Sequence, residues 1–563
     1  MADDVPSHER STVNEGRARV WESLEPGSEE PGDGPFPGAG APRRPGRLAL
    51  STAFFSFATG LSRIAGLVRE IVAAGYFGVK GPMSAFTIAF QVPNLIRSLF
   101  ADAALQAAFV PVFTEQLEHR GRHEAFRVAS ALVFVISVSL GLITAAFVLL
   151  APLVMPLFAP GFDDQLTDLT VRLAQLMFPI VLLLGLSGLV VGVLNSFEHF
   201  SVPAIAPLFW NLVIILTLVA LTPAFEGDDR IYAYAIGILL GTLVQLLLPL
   251  PWLRRTGFRI ARSFDWRDER VVRVLKLMFP VTLGIGLINF NLSVNSIFAT
   301  LISEQAPAAI DKAFRIYMLP QGVFAVALAT VLFPTFSRLA TRRDMDGLRA
   351  VQASGTRQML LLLVPAAALM LALSEPITRV VYQRGEFDAA QTELVAEALF
   401  FFAFSLPFAG VNLILIRTFF SLQLPWRPTQ IALANLGVNA ALDAALYGPM
   451  GVGGITLATA IVSLVTTVAL AAALRERIGG LDLRRTLDAG VRIMAAGALA
   501  AAVALAAREA LGGLDAGFLE QTVVVVAAST AGLAAYAAVV LATRVEEARQ
   551  ITTFVRQQVA RLR

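Results

Sequence analysis

The chain has 563 residues, of which 56% are hydrophobic and only 15% charged. A soluble protein carries about 25% charged residues, so this composition excludes an ordinary soluble domain and describes a polytopic membrane protein. The formal charge of +3 says little as a total, and the absence of cysteine excludes disulfides, thiolate metal sites and thiol nucleophiles.

Residues 1–47 are rich in Pro, Gly and Glu and poor in large hydrophobes, which predicts a disordered cytoplasmic tail. The first apolar run starts too far from the terminus, and is too long, for a cleaved signal peptide. Apolar stretches of spanning length then recur at 49–78, 82–116, 124–158, 166–197, 203–224, 231–253, 271–303, 307–340, 349–381, 390–421, 427–447, 452–475, 486–510 and 518–543. They predict an all-α polytopic membrane protein of about fourteen transmembrane helices.

Span one holds Arg63, Arg69 and Glu70, and span two holds Asn94, Arg97 and Asp102. Arg315 lies in span eight. A guanidinium at the bilayer centre costs on the order of 3 kcal/mol even on the lenient insertion scale. Four of them facing lipid would cost on the order of 10 kcal/mol, so a water-filled cationic cavity is the better arrangement. Gly60 and Gly66 would bend span one enough to turn both of its arginines inward. Glu70 and Asp102 are placed to pair with neighbouring arginines and lower the cost of buried charge. Arginine grips phosphate and carboxylate oxygens in pairs and stays charged, so such a cavity implies transport of an anion. Snorkelling to the interface is the competing reading, credible for Arg69 and Arg315 and poor for the mid-span Arg63 and Arg97.

Basic residues crowd alternate loops: Arg120, Arg122 and Arg127; six arginines across 254–270; Arg338, Arg342, Arg343 and Arg349; then Arg475, Arg477, Arg484 and Arg485. The other loops carry acidic runs such as Asp163-Asp164 and Asp228-Asp229. The positive-inside rule then places both termini in the cytoplasm. The four histidines, His8, His119, His123 and His199, fall in the tail or at helix ends. His119 and His123 are one turn apart but lack the HExxH order of a zinc site.

A faint repeat links Val92-Pro93-Asn94 with Leu319-Pro320-Gln321, and residues 196–203 with 418–425. Its offset of about 222–228 residues is six spans, as in transporters built from parallel repeats. Two pseudo-symmetric six-helix lobes follow, at 48–254 and 271–476, joined by a cytoplasmic linker at 255–270. A carboxy-terminal pair occupies 477–543, and an amphipathic helix on the membrane surface, or a solvated helix, occupies 544–563. Asn439 and Asp443 share one face of span eleven, near Thr459 of span twelve and Asn295 of span seven. Such hard oxygen ligands suit sodium; a hydrogen-bonded helix contact is the alternative.

The strings Ser62-Arg63-Ile-Ala-Gly66-Leu-Val-Arg69-Glu70, Ala89-Phe90-Gln91-Val92-Pro93-Asn94-Leu95-Ile96-Arg97 and Gln106-Ala107-Ala108-Phe109-Val110-Pro111 closely resemble the MurJ/MviN family. Arg315 through Gly322-Val323 and Ala327-Leu328-Ala329-Thr330 matches that family's eighth span. The resemblance covers about residues 48–480. The family comprises bacterial lipid II flippases of the MOP exporter superfamily, so the resemblance implies transport of lipid II across the bacterial plasma membrane by alternating access. It implies no enzymatic activity, no cofactor beyond sodium, and cell-wall synthesis proteins as partners. It further assigns Arg63, Arg69, Arg97 and Arg315 to the pyrophosphate and headgroup, Glu70 and Asp102 to acidic partners, Asn94 to the same site, and spans thirteen and fourteen to a lipid-tail groove. Two departures stand out: Ser84 and Phe314 replace acidic residues found in many members, which puts salt-bridge gating there in doubt.

The alternatives are a flippase for another polyprenyl-linked glycan and a drug or cation antiporter of the same superfamily. A cation cavity would be lined by carboxylates and aromatics, whereas this one is net basic. A membrane-embedded glycosyltransferase or phosphatase needs clustered carboxylates, histidines or a metal site, and no nucleic-acid partner is indicated.

Overall fold

The computed structural model describes residues 45–100, 103–197, 199, 201–261, 265–512 and 517–548, with side chains omitted at 45–57, 97–100, 103–107 and 279–289. The tail at 1–44, Asp102 and most of 544–563 therefore lie outside the described residues. Contacts divide the chain into Met1–Thr52 and Ala53–Arg563.

All regular structure among the described residues is helical. In chain order the helices are α1 (Pro45–Phe77), α2 (Gly81–Phe100), α3 (Ala103–His119), α4 (Gly121–Phe158), α5 (Asp164–Met177), α6 (Ile180–Ser196), α7 (Ser201–Leu221), α8 (Ile231–Leu247) and the short α9 (Leu250–Arg255). They continue with α10 (Glu269–Thr300), α11 (Ala306–Pro320), α12 (Val326–Thr341), α13 (Met345–Tyr382), α14 (Ala389–Ser421), α15 (Trp426–Ile478), α16 (Leu483–Ala510) and α17 (Phe518–Ala542). Ten helical stretches among the described residues are long and apolar enough to cross a membrane. Most of the predicted spans at 49–78 and 271–303 is helical as well, and the described residues of 82–116 fall in α2 and α3.

Local chemistry sets the boundaries. Asp163, Asp268, Asp344 and Asp388 each accept a backbone N–H at a helix start, satisfying donors that the helix leaves unpaired. Breaks inside helices also have identifiable causes. The 53-residue α15 contains the predicted spans 427–447 and 452–475 and turns between them at Gly451, whose φ of 54° suits glycine. Pro320 closes α11, and a π-helical segment, Gln321–Ala325, leads into α12.

In the first half α2 packs on α5, α3 on α6, and α7 on α8; in the second α13, α14 and α15 lie side by side with α11 against α14. The α16–α17 hairpin rests on α13. Helix α10 touches both sets, meeting α2, α3 and α4 as well as α15. Side chains such as Leu142, Leu149, Leu153 and Leu157 of α4 point outward, as a lipid-facing surface requires.

Candidate functional site

A cavity of about 630 Å³ lies between the two sets of helices. Four of the predicted substrate residues, Arg69, Glu70, Asn94 and Arg315, line it. Phe86, Phe90, Trp210, Tyr234, Phe314 and Phe402 supply aromatic walls. Arg69 is buried on α1 with its guanidinium 4.7 Å from the Trp210 ring centroid. Its Nη2 donates to Glu70 Oε1 at 2.5 Å, while Nε and Nη1 have no hydrogen-bond partner. Two donors of Arg69 are thus unspent, though buried beside the Trp210 ring.

Glu70 is held from three directions. Besides Arg69, the Lys312 ammonium donates to Oε2 at 2.6 Å and the Tyr234 hydroxyl reaches Oε1 at 3.5 Å. Removing one partner of a buried ion pair costs about 3–5 kcal/mol, so the two cations together offset the cost of burying this carboxylate. Arg315 pairs with Asp311, one turn earlier on α11, at 3.1 Å. The acidic partner missing at Phe314 is thus supplied from the position four residues before the arginine. Ser84 accepts from the Ala308 N–H at 3.2 Å, joining α2 to α11 by a neutral bond.

Lys312, Asp311 and Trp210 are members of the site that the sequence reading missed. The rule that marked Arg315, that an ionisable residue inside a span is functional until shown otherwise, also applies to Asp311 and Lys312. Arg63 is not in the cavity lining: it is exposed on α1, with its guanidinium against Gly322 of the π-helical segment. Arg97 sits on α2 with its side chain among those not described.

The loop between α1 and α2 interlocks with the loop between α13 and α14. The Val79 N–H donates to Gln391 Oε1 at 2.9 Å, Lys80 pairs with Glu386 at 2.5 Å, and the Glu386 N–H donates to the Gly75 carbonyl at 2.9 Å. Gly385, at φ +60°, packs against the Gly75 carbonyl so closely that a Cβ has no room. Lys80, donating to Glu386, holds that carboxyl below its usual range. Arg270 donates to Glu124 at 2.9 Å and to Gln116 at 3.2 Å, tying α10 to α3 and α4. Hydrogen bonds from Arg270 hold Asp268 below, and Arg270 itself above, their usual ranges.

The second predicted cluster is also brought together. Asn439 donates to Asp443 at 2.9 Å and to Asn295 at 2.5 Å, and Asn295 donates to Thr459 at 3.1 Å. Asp443 and Asn439 are fully buried, and one oxygen of each, with that of Asn291, lacks a partner. Orphaned buried oxygens of this kind suit a hard monovalent cation. Asn295 belongs to both the cluster and the cavity wall.

On the other face of α14 runs an apolar groove of about 1210 Å³. Leu360, Val364 and Leu371 of α13, Phe404 of α14, Leu464 and Val468 of α15, and Leu487 and Met494 of α16 line it. Of the carboxy-terminal pair only α16 reaches the groove; α17 packs behind, on α16 and α13. The pair is fastened to α13 at both ends, by Arg508–Glu375 at 2.9 Å and Arg357–Glu547 at 2.5 Å.

The family model described as "Lipid II flippase MurJ" matches residues 73–544. A probable lipid II flippase MurJ of Rhizobium meliloti (strain 1021) is 32% identical over 449 residues, covering 78% of this chain and 83% of the relative. Its counterpart in Rhizobium tropici is 36% identical over 425 residues, covering 74% and 79%. Among solved structures, a lipid II flippase MurJ in an inward closed conformation superposes with a TM-score of 0.70 at 22% identity, over 85% of this chain and 98% of that one. An inward-facing multidrug-resistance MATE transporter of the MOP superfamily gives 0.62 at 16% identity, over 74% and 94%. At such identities the two structures speak for the fold alone.

Proposed function

The chain belongs to the MurJ family of lipid II flippases, and from that premise we propose that it carries lipid II from the inner to the outer leaflet by alternating access. One observation carries this reading: Arg69 is buried at the cavity wall with two guanidinium donors unused. A diphosphate brings several oxygens to such charged donors. Arg315, whose other face is taken by Asp311, supplies a second cation across the cavity.

The polar headgroup occupies the cavity while the polyprenyl chain lies in the groove behind α14. In this reading the interlocked loops at Lys80 and Glu386 form the extracellular gate, the termini are cytoplasmic, and the protein sits in the bacterial plasma membrane. The helices up to α9 and those from α10 to α15 act as two lobes that rock about the cavity. Sodium binds at Asp443, Asn439, Asn295 and Thr459. Since Asn295 reaches the cavity, occupancy there would bias the position of α10. Membrane potential, worth about 2.3 kcal/mol per charge per 100 mV, is a second source of drive. Cell-wall synthesis enzymes are the natural partners, and no covalent chemistry is required of this chain.

The test is complementation of bacteria depleted of their own lipid II flippase, with lipid II accessibility at the outer leaflet as the readout. Restoration by the wild-type chain, and not by Arg69→Ala at equal membrane levels, is the expected result. A well-expressed wild type that restores no exposure in a compatible host, yet exports another polyprenyl-linked glycan, would reassign the substrate.

A further inference from the structure

Lys312 is fully buried, and its side chain lies outside the cavity lining. Its ammonium is 5.9 Å from the Tyr382 ring centroid and donates to Glu70 Oε2. The Tyr382 hydroxyl closes the arrangement by donating to the Lys312 carbonyl at 3.3 Å. A residue so enclosed cannot reach a substrate in the cavity. It reaches only the carboxylate that competes with the substrate.

Glu70 divides its oxygens between two cations, Oε1 to Arg69 and Oε2 to Lys312. That division matters because Glu70 is only 4% exposed. Were Arg69 its sole counter-ion, an incoming anion that took Arg69 would strand a buried carboxylate, an expensive outcome. Both anions would then compete for one guanidinium. A second cation outside the cavity removes the conflict. Lysine suits the role as a compact point charge, where a planar guanidinium would add bulk in a filled space.

We propose that Lys312 is a positioning residue for transport: by serving as a standing counter-ion to Glu70 from α11, it leaves Arg69 free to bind the diphosphate of a polyprenyl-linked substrate. This rests on the flippase reading above. When the diphosphate engages Arg69, Glu70 stays neutralised on Lys312. No bond is made or broken beyond these ion pairs. Loss of Lys312 would make Glu70 an intramolecular competitor that occupies Arg69.

The experiment measures binding of undecaprenyl diphosphate in lipid nanodiscs to the purified full chain. Four proteins are compared: wild type, Lys312→Met, Glu70→Gln and the double variant, with thermal stability followed in parallel. Lys312→Met is expected to weaken binding at least about tenfold, and Glu70→Gln in the same chain to restore it to within about threefold of wild type. A merely structural lysine would move the melting temperature and the affinity together in the single variant and in the rescue, whereas the proposal requires affinity to fall and recover in protein that melts as the wild type does. If Lys312→Met fails to accumulate, the decision rests on Glu70→Gln against the double variant. An affinity within about threefold between these supports the proposal, and a tenfold loss overturns it. Wild-type affinity in Lys312→Met, or a double variant as weak as Lys312→Met, also overturns it. A wild-type chain that binds no undecaprenyl diphosphate fails earlier and sinks the flippase reading itself.

Discussion

Helix α14 separates two spaces of opposite chemistry. Phe402 on one face meets a cavity walled by Arg69, Glu70 and Arg315, and Phe404 on another meets a groove of leucines, valines and alanines. The groove is about twice as large, 1210 against 630 Å³. The smaller space holds the buried ions, each with a partner within hydrogen-bond reach, whereas the groove is charged only at Arg475 and Asp482. The larger space needs no partners, because alkyl chains require only apolar area. A molecule with a diphosphate at one end and a long hydrocarbon at the other matches the pair, and each half can be attacked separately.

The largest effect is expected in the cavity. Arg69→Ala should lower outer-leaflet lipid II exposure by about thirtyfold or more, since truncating one side of a buried charge pair costs about 2–5 kcal/mol. Membrane insertion, read by the amount of folded protein, should be unchanged; retained transport would break the assignment of charge to this space. In the groove, Gly490 has only Leu360 near its would-be Cβ, at 3.9 Å, so a large side chain there projects into the open space. Gly490→Trp should weaken binding of undecaprenyl diphosphate about tenfold by displacing a few methylenes at about 0.8 kcal/mol each. Binding of a short-chain isoprenyl diphosphate should not change. Equal loss for both ligands would show that the two spaces are not independent.

The Asp443 cluster tests whether the cavity wall is tuned from behind. Sodium at ten times its dissociation constant should stabilise the wild type by about 1.4 kcal/mol over potassium, and Asp443→Asn should erase the difference in a thermal melt. The smallest effect belongs to the interlocked loops at Lys80 and Glu386. Glu386 is held below its usual 4.5 by Lys80, so the pair's contribution is present above that value and is lost as pH falls through the lowered one. Both side chains are about half exposed, 51% and 49%, which limits the contribution to under about 1 kcal/mol. The chain lacks cysteine, so a single Val79→Cys can report opening by labelling with an impermeant maleimide. Labelling at neutral pH should be faster in Glu386→Gln than in the chain that keeps the Lys80–Glu386 pair.

Much of this was legible without coordinates. Arg69 and Arg315 announce themselves as charges inside apolar runs, and Asn439 and Asp443 as a polar pair at helical spacing; the cost of burying such groups is local information carried by composition. Arg63 obeys the same rule and yet stands outside the cavity lining, because periodicity along α1 does not say which neighbour a face will meet. Arg315 has an acidic partner in spite of Phe314 for a similar reason: Asp311 lies one turn earlier on the same helix, although that pair joins no two helices. Lys312 was passed over since its meaning depends on Glu70, 242 residues earlier in the chain.

Hydropathy, charge distribution and the short motifs of the first two spans determined by themselves the helical class, the membrane setting and the family resemblance, because insertion energetics act residue by residue. Only the tertiary structure decided which ions are partners, which face of α14 meets the cavity and which the groove, and that α16 rather than α17 lines the latter. Those outcomes rest on distances between segments hundreds of residues apart, and electrostatic pairing at low dielectric depends on those distances.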